Sequence, residues 1–199
     1  MKNLLFLCRA NIDRSPAAEA IARYYLRSAD MDSEINVCSA GIEIPPITEM
    51  RGLMQGELAK RRIQVRKHTP RQINESLLDN SDLVLCMNQL QMFQLSERYR
   101  DYAGKINSLE EYSGYNEEII NPERVIREFS FPLSLLPGII KRPLRRSQGL
   151  LHPTDLKGIK EVYGKLVDVL CLHVLKSLRR FSDEQHIRYS SSYLGNKVK

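Results

Sequence analysis

The stretch NLLFLCRANIDRSP, residues 3–16, predicts a strand, a loop and the start of a helix. Residues 3–8 form an apolar run of strand length. Ser15 followed by Pro16 is typical of a helix start, because proline lacks the amide hydrogen that the first turn leaves unpaired. The loop between them is therefore expected at the carboxyl end of a buried strand, the edge where open parallel sheets bind their ligands.

Strand and helix patterns alternate along the rest of the chain. Strands are predicted over residues 35–40, 82–87 and 105–109, and helices over residues 15–30, 47–62, 88–98 and 158–180. The last helix has the clearest pattern, because its apolar residues recur at helical spacing from Ile159 to Leu178. Alternation of this kind predicts an α/β fold with a parallel sheet.

The composition fits one folded domain with additional segments. The chain has 199 residues, of which 42% are hydrophobic and 27% charged, so wholly disordered, collagen-like and disulfide-scaffold classes are excluded. Residues 119–150 interrupt the alternation with four of the nine prolines, and residues 182–199 are polar. We therefore predict a single domain over residues 1–181, with an insertion at about residues 119–150, and a flexible tail over residues 182–199.

The net charge and the spacing of the cysteines indicate which class of ligand and which cellular compartment to expect. Lys and Arg number 30 and Asp and Glu 24, a net charge of +6 that draws anionic ligands but does not predict a nucleic-acid partner. The cysteines are widely spaced and form no CxxC pair, so a disulfide framework is not expected; they are Cys8, Cys38, Cys86 and Cys171. Because no apolar run near the N-terminus suits a signal peptide or a membrane span, we expect a cytoplasmic protein.

The spacing of Cys8, five further residues and then Arg14 can wrap one loop around a tetrahedral oxyanion. Backbone amides and the N-terminus of the following helix supply positive potential, and the planar guanidinium of Arg14 can hold two phosphate oxygens. These surroundings favour a thiolate, and the Cys8 sulfur would lie in line with phosphorus. We predict that phosphate is bound by Arg9, Ala10, Asn11, Ile12, Asp13, Arg14 and Ser15.

We call residues 8–15 the cradle, and two of its side chains are expected to hold it in shape. Ser15 can donate a hydrogen bond to the Cys8 thiolate, and Asn11 can bond the loop backbone. The alternative is that Cys8 is a small buried residue and Arg14 a surface cation, the commonest fate of each type. We favour the cradle, because this spacing between a strand and a helix cap rarely arises by chance.

The chain resembles the low-molecular-weight protein tyrosine phosphatase family. The similarity begins with residues 8–16 and Ala18-Glu19-Ala20, and it continues through Ser39-Ala40-Gly41, His68 with Arg71-Gln72, residues 82–87, Asp155 and residues 161–163. It covers most of the chain apart from the insertion and the tail. The resemblance implies a four-stranded parallel sheet flanked by helices on both sides, with a phosphate-binding loop after the first strand.

The resemblance also implies a two-step hydrolysis of phosphomonoesters without a metal or another cofactor. Cys8 would become a phosphocysteine while Arg14 holds the phosphoryl group. Asp155 would protonate the leaving oxygen and then activate water, although a helix cap is the alternative role for this residue. No metal site is predicted from the remaining histidines and cysteines.

The expected substrate is phosphotyrosine in a protein, or a small phosphomonoester, with phosphate and other oxyanions also binding the cradle. Ile12 fits the tyrosine phosphatases better than the threonine of the related arginine phosphatases. The resemblance further implies that a set of side chains supports the cradle, and that His68 reaches it through Ser15. This set consists of Asn11, Ser15, Ser39 and His68.

The sequence departs from the family pattern at several positions. Asp155 is not followed by the usual proline and aromatic residue. Asp13 replaces a second cysteine, so a protective disulfide should be absent, and its carboxylate is tolerable only if it points away from the anion. Ala10 replaces a glycine, and Arg9 at the pocket mouth could favour substrates with additional negative charge.

Two other functions remain open from the sequence. An arsenate reductase on the same scaffold would need a second thiol, and Cys86 is a poor candidate because no further cysteine follows it closely. A catalytically weak anion-binding protein would use the cradle without turnover.

Two basic segments lie outside the cradle. The insertion combines apolar residues with Lys141, Arg142, Arg145 and Arg146, which could contact an anionic membrane surface or a protein, or form a rim of the site. The run of Lys60, Arg61, Arg62, Arg66 and Lys67 is interpreted as a solvated helix end rather than a nucleic-acid patch.

Overall fold

The computed structural model of the protein describes residues 1–46, 49–122 and 156–187, the last range with side chains from Ile159 onward. In this part of the chain four strands form one parallel sheet in the order β2-β1-β3-β4. The strands are β1 (Lys2–Cys8), β2 (Ile35–Gly41), β3 (Leu83–Cys86) and β4 (Ile106–Ser108). The predicted fold class and the number of strands are confirmed.

Helices cover both faces of the sheet. On one face lie α1 (Arg14–Ser28), α2 (Gly52–Lys60), α5 (Leu109–Ser113) and α6 (Leu156–Glu184), and on the other α3 (Glu75–Asp79) and α4 (Gln89–Arg98). A short 3-10 helix, Arg100–Lys105, leads into β4. The sheet therefore divides the apolar core into two layers, as expected for parallel strands buried on both faces.

β1 lies in the interior of the sheet, and its last five residues are buried. Cys8 packs in the layer that contains α1 and α6, whereas Leu7 packs in the layer that contains α3 and α4. Cys8 pairs with Gly41 of β2, and Leu7 pairs with Cys86 of β3. Because successive strand residues point to opposite faces, the side chains of Cys8 and Cys86 lie on opposite sides of the sheet.

α6 is predicted over residues 158–180 and is observed at Leu156–Glu184. His173 is fully buried within it; its Nε2 atom donates to the Glu117 carbonyl oxygen at 2.7 Å, and its Nδ1 atom accepts from the Ser113 hydroxyl at 2.6 Å. These contacts join α6 to the end of α5 and to the segment that follows it. Residues 182–184 belong to the helix, with Ser182 buried, so the expected tail cannot begin at residue 182; residues 188–199 lie outside the described part.

Other boundaries differ from the expectation for local reasons. The helix predicted over residues 47–62 begins only at Gly52, because Arg51 has an extended backbone with ψ of 138° and directs its side chain to the cradle. α3, α5 and the 3-10 helix were not predicted, since five or six residues show too little periodicity.

The insertion is described only at its start. Ile119 is 2% exposed and packs in the core, and its N–H donates to a carboxylate oxygen of Glu110. Residues 123–155, including Asp155 and the basic cluster of the insertion, lie outside the described residues. Within the described ranges, every helix is too short or too polar to cross a membrane.

Candidate active site

The cradle joins the carboxyl end of β1 to the first turn of α1. The chain turns at Asn11, whose φ of 52° is a left-handed conformation that asparagine tolerates better than most residues. Gly41 allows β2 to approach this turn, because a Cβ atom there would lie 2.9 Å from the Arg9 carbonyl oxygen and 3.0 Å from the Asn11 nitrogen. The glycine therefore lets the backbone of β2 support the loop directly.

Asn11 is fully buried, and its polar groups hold the loop in one conformation. Its Nδ2 group donates to the hydroxyl oxygens of Ser15 and Ser39, both at 3.0 Å. Its Oδ1 atom accepts the Arg71 backbone N–H at 3.0 Å. Because a buried polar group costs free energy unless it is paired, these contacts disfavour other loop conformations. Asn11 thus joins Ser15 of the cradle to Ser39 and Arg71, whereas the sequence predicts a bond to the backbone of the loop itself.

Two hydrogen-bond donors point at the sulfur of Cys8, which is 3% exposed. The Ser15 hydroxyl lies 3.0 Å from it and the Asn11 backbone N–H 3.3 Å. The single hydroxyl hydrogen of Ser15 has a second acceptor, the Ala40 carbonyl oxygen at 3.2 Å. Hydrogen bonds to ionised acceptors are about twice as strong as neutral ones, so a negative sulfur would attract this hydrogen. Both donors are thus aimed at the atom through which a cysteine acts as a nucleophile.

Arg14 begins α1 and is 7% exposed. No described residue forms a hydrogen bond or an ion pair with its guanidinium group. The N–H groups of Ala10 and Ile12 also lack an acceptor within the described part of the protein. A buried cation without a partner is unfavourable, whereas an oxyanion bound in the loop would satisfy these donors together. The loop therefore has the donor set of an anion site.

His68 contacts the cradle at a different atom from the one predicted. The expected contact was with Ser15, but the His68 Nε2 atom lies 2.7 Å from the Asn11 carbonyl oxygen. A carbonyl oxygen only accepts, so Nε2 carries the hydrogen. The predicted contact between His68 and Ser15 is wrong, because the Ser15 hydroxyl already contacts the Cys8 sulfur, the Asn11 side-chain amide and the Ala40 carbonyl oxygen. Ser39, which accepts a hydrogen bond from Asn11, donates its own hydroxyl to Glu19 at 2.7 Å.

Asp13 is turned toward two residues outside the cradle. Its carboxylate forms an ion pair with Arg51, and the Tyr163 hydroxyl donates to the same oxygen at 3.4 Å. Burial and the Asp13 charge raise the pKa of Tyr163 to about 12, so this hydroxyl remains a donor. The pairing with Arg51 offsets the negative charge of Asp13 and weakens its repulsion of an anion in the loop.

Arg9 lies at the exposed edge of the cradle. Its guanidinium contacts Glu43 at 3.3 Å, and the two side chains are 70% and 68% exposed. An exposed pair of this kind contributes only about 0–1 kcal/mol, so Arg9 can exchange Glu43 for a charged substrate group. The predicted role at the pocket mouth is compatible with this position.

A further carboxyl group, which the sequence does not mark, lies at the same edge of the sheet. Glu110 follows β4, and its Oε1 atom accepts the Ile119 N–H at 2.9 Å. Burial raises the pKa of Glu110, and the hydrogen bond from the Ile119 N–H and the charge of Arg14 oppose this rise. Asp155, the predicted general acid, lies outside the described residues.

Most partners of the cradle come from distant parts of the chain. The family resemblance includes Glu19, Gly41, Arg71 and Tyr163, whereas no sequence signal marks Arg51 or Glu110. Within residues 1–46, 49–122 and 156–187, no three potential metal-ligating side chains come together.

Comparison with known proteins identifies relatives in sequence. The family model described as low molecular weight phosphotyrosine protein phosphatase matches residues 3–128. The low molecular weight protein-tyrosine-phosphatase PtpB of Staphylococcus haemolyticus is 31% identical over 119 residues, which are 60% of this chain and 80% of the relative. The protein-arginine-phosphatase of Bacillus subtilis is 26% identical over 121 residues, 60% of this chain and 79% of the relative.

Solved structures show the same fold. The low molecular weight protein tyrosine phosphatase of T. tengcongensis has a TM-score of 0.66 at 23% identity, covering 90% of this chain and 99% of that chain. The YwlE arginine phosphatase of Geobacillus stearothermophilus has a TM-score of 0.67 at 20% identity, covering 96% and 99%. Because the family model spans more than half of the sequence, the chain belongs to the low molecular weight phosphotyrosine protein phosphatase family.

Proposed function

We propose that the protein hydrolyses phosphotyrosine in proteins through a phosphocysteine formed on Cys8. The observation that carries this proposal is the Arg14 guanidinium, which is 7% exposed and has no ionic partner among the described residues. Arg14 begins α1. Two hydrogen-bond donors, the Ser15 hydroxyl and the Asn11 N–H, point at the Cys8 sulfur of the same loop. An oxyanion bound by Arg14 would bring phosphorus within reach of the sulfur.

The reaction takes two displacement steps. The Cys8 thiolate attacks phosphorus, a sulfur–phosphorus bond forms, and the phosphorus–oxygen bond to the leaving group breaks. The leaving oxygen receives a proton from a carboxylic acid, for which Asp155 is our candidate. Water then attacks phosphorus, gives its proton to the same carboxylate and releases inorganic phosphate and the thiolate.

The cradle would lower both barriers by holding negative charge. The N–H groups of Arg14, Ala10 and Ile12 would donate hydrogen bonds to the phosphoryl oxygens, and these bonds strengthen as negative charge develops on those oxygens. Asn11 and His68 act as positioning residues, because they bond the loop and not the reacting atoms. A loop already held in the required shape needs little reorganisation during the reaction.

Phosphotyrosine is the substrate that the sequence comparisons favour. The relatives named for phosphotyrosine reach 31% identity, and the arginine phosphatase of Bacillus subtilis 26%. Ile12, which is buried in the cradle, agrees with the tyrosine group. Phosphoarginine is the second candidate because that arginine phosphatase matches a similar share of the chain.

Arsenate reduction is disfavoured by the position of the second thiol. Cys86 lies across the sheet from Cys8, in the layer with α3 and α4. Burial raises the pKa of Cys86, which keeps it in the weakly nucleophilic thiol form. Resolution of an arseno-cysteine adduct on Cys8 by this residue is therefore not expected.

Turnover of p-nitrophenyl phosphate, a phosphotyrosine peptide and a phosphoarginine peptide tests the proposal. Cys8→Ser should abolish turnover, and Arg14→Lys should reduce it by about 100-fold or more, as expected when a main charge-stabilising donor is lost. Cys171→Ser, on α6, is the matched control and should retain wild-type rates. Turnover by Cys8→Ser, or phosphate binding by the wild type without turnover, would contradict the proposal.

The general acid is tested with two carboxamide variants. Loss of a positioned acid costs typically ~10²–10⁴-fold and affects poor leaving groups most. Asp155→Asn should therefore slow alkyl phosphates more than aryl phosphates, whereas Glu110→Gln should not. The reverse pattern would transfer the role to Glu110.

The proposal also includes a cytoplasmic location and a contact made by the insertion. Cys8, Cys38, Cys86 and Cys171 form no disulfide, which agrees with a reducing cytoplasm. The basic cluster of the insertion would contact an anionic membrane surface or a protein. Vesicle binding by the full chain, compared with that by a variant with all four charges neutralised, tests the membrane contact.

A further inference from the structure

A cavity of about 410 Å³ lies beside the cradle, between α1 and the segment that follows α2. Residues 16–28 supply one wall and residues 62–68 the other. The volume falls within the roughly 300–1,000 Å³ that is usual for small-molecule sites. The basic run predicted to be a solvated helix end thus forms, in part, the wall of a concave site.

Five cationic side chains line this cavity: Arg23, Arg27, Arg62, Arg66 and Lys67. Glu19 is the only carboxylate among the lining residues, so the lining has a net charge of +4. Glu19 is already occupied, because it accepts hydrogen bonds from Arg23 and from Ser39. Within the described residues, the other four cations form no ion pair.

Cations of the same run that lie outside the cavity do have partners. Lys60 pairs with Glu57, and Arg61 pairs with both Glu57 and Asp168. Burial alone would raise the pKa of Glu57, but the hydrogen bonds from these two cations lower it overall. The uncompensated charges are therefore concentrated where the surface is concave, which is where a bound anion would be held from several sides.

A smaller cleft of about 160 Å³ continues from the cavity and shares Arg23, Arg27 and Arg66 with it. This cleft adds one carboxylate, Asp32. Cations are thus distributed along a groove rather than gathered at one point. A single phosphate group would contact only some of them, whereas a ligand with several linked phosphates would contact more.

We propose that this cavity is a second anion site, separate from the cradle, and that it binds a small ligand with two or more phosphate groups. Arginine is suited to this ligand because its guanidinium forms paired hydrogen bonds to phosphate oxygens. His68 lines the cavity and also donates to the Asn11 carbonyl oxygen, so a ligand bound here lies one side chain away from the phosphatase loop. The site does not depend on turnover at Cys8.

Calorimetric titration of the full chain with inorganic tripolyphosphate tests this site. At the cavity we expect one bound ligand per chain, in addition to any oxyanion in the cradle, and about tenfold or more weaker binding in Arg27→Gln/Arg66→Gln, because two cationic contacts are lost. The matched control is Arg98→Gln/Arg179→Gln, which removes the same charge from exposed positions on α4 and α6 and should bind like the wild type. ATP as a second ligand distinguishes a nucleotide, which would bind more tightly than tripolyphosphate, from polyphosphate alone.

The variant Arg14→Ala distinguishes this site from the cradle. Its affinity for tripolyphosphate at the cavity should stay within about twofold of that of the wild type. Loss of binding in Arg14→Ala, equal loss in both double variants, or equally tight binding of a poly-glutamate peptide would overturn the proposal. Failure of the phosphatase assignment has a different signature: wild type that binds tripolyphosphate at the cavity but hydrolyses no phosphomonoester.

Discussion

The guanidinium of Arg51 pairs with the carboxylate of Asp13, the residue that immediately precedes Arg14. Arg51 lies just before α2, so this pair ties the cradle to a segment far away in sequence. The pair also places a positive charge beside the one acidic side chain of the cradle. An acidic residue in an anion-binding loop is tolerated here because its charge is offset.

This relationship predicts a coupling between two substitutions. Arg51→Gln leaves the Asp13 charge less compensated and should raise the KM for p-nitrophenyl phosphate by about threefold to tenfold, a cost of about 1 kcal/mol. Asp13→Asn/Arg51→Gln should recover most of the loss, because the repelling charge is then gone. Steady-state kinetics of both variants, with Arg98→Gln as control, measures the effect; additive losses in the double variant would argue against charge compensation.

The Ser15 hydroxyl predicts how readily the Cys8 sulfur reacts. Ser15→Ala removes the donor at 3.0 Å, and hydrogen bonds to charged groups contribute about 1.5–3 kcal/mol. We expect kcat for an aryl phosphate to fall about tenfold or more, and alkylation of Cys8 by iodoacetamide at pH 6 to slow in parallel. Ser28→Ala, on the same helix with its hydroxyl bonded to Tyr24, is the control. Unchanged alkylation would show that Ser15 does not stabilise the thiolate.

Oxidation of Cys8 should proceed without an internal disulfide. Cys86 lies across the sheet, and Asp13 stands where the family commonly has a second cysteine. Peroxide should therefore add oxygen atoms to Cys8 instead of joining it to another thiol. Intact-protein mass spectrometry distinguishes these products. Peroxide should inactivate Cys86→Ser at the wild-type rate. Slower recovery of activity in this variant would contradict the prediction, because it would show that Cys86 takes part in the recovery of Cys8.

His173 predicts a pH dependence of folding. Burial lowers its pKa below the ordinary value of 6.5, so the unfolded chain binds this proton more readily than the folded chain. The contribution to stability is complete above about pH 6.5 and is lost as the pH falls through the folded-state pKa, with a slope of at most about 1.4 kcal/mol per pH unit. Urea unfolding between pH 8 and pH 5 should show a smaller slope for His173→Gln.

The matched control for this measurement is His186→Gln, because His186 is exposed after the end of α6. It should keep the slope of the wild type. Equal slopes for the wild type and His173→Gln would assign the acid sensitivity to other groups.

The strand–loop–helix of residues 2–28 could be predicted because its signals are local. An apolar run, a cysteine at its end and a helix start at Arg14-Ser15-Pro16 lie within one short segment. The same holds for α6, whose long apolar period identified it as a helix. The end of α6 was predicted too early because serine is a polar residue, whereas Ser182 is buried in the structure.

The partners of the cradle could not be predicted because the fold brings them from other segments. Tyr163 reaches Asp13 from α6, and Glu19 reaches Ser39 from α1. The family resemblance includes both residues, but neither residue type nor spacing shows which group each of them contacts. Arg62, Arg66 and Lys67, which form no ion pair within the described ranges, illustrate the same point, since the cavity forms only where their segment packs against α1.

The most direct measurement is detection of a covalent phosphoryl group on the Cys8 sulfur. Rapid acid quench during turnover of a ³²P-labelled phosphotyrosine peptide, followed by mass spectrometry of the peptide containing residues 3–14, locates the label. The account predicts label on Cys8 that forms within one turnover and disappears at the rate of phosphate release. Turnover that continues while Cys8 stays unlabelled, or label on another residue, would contradict it.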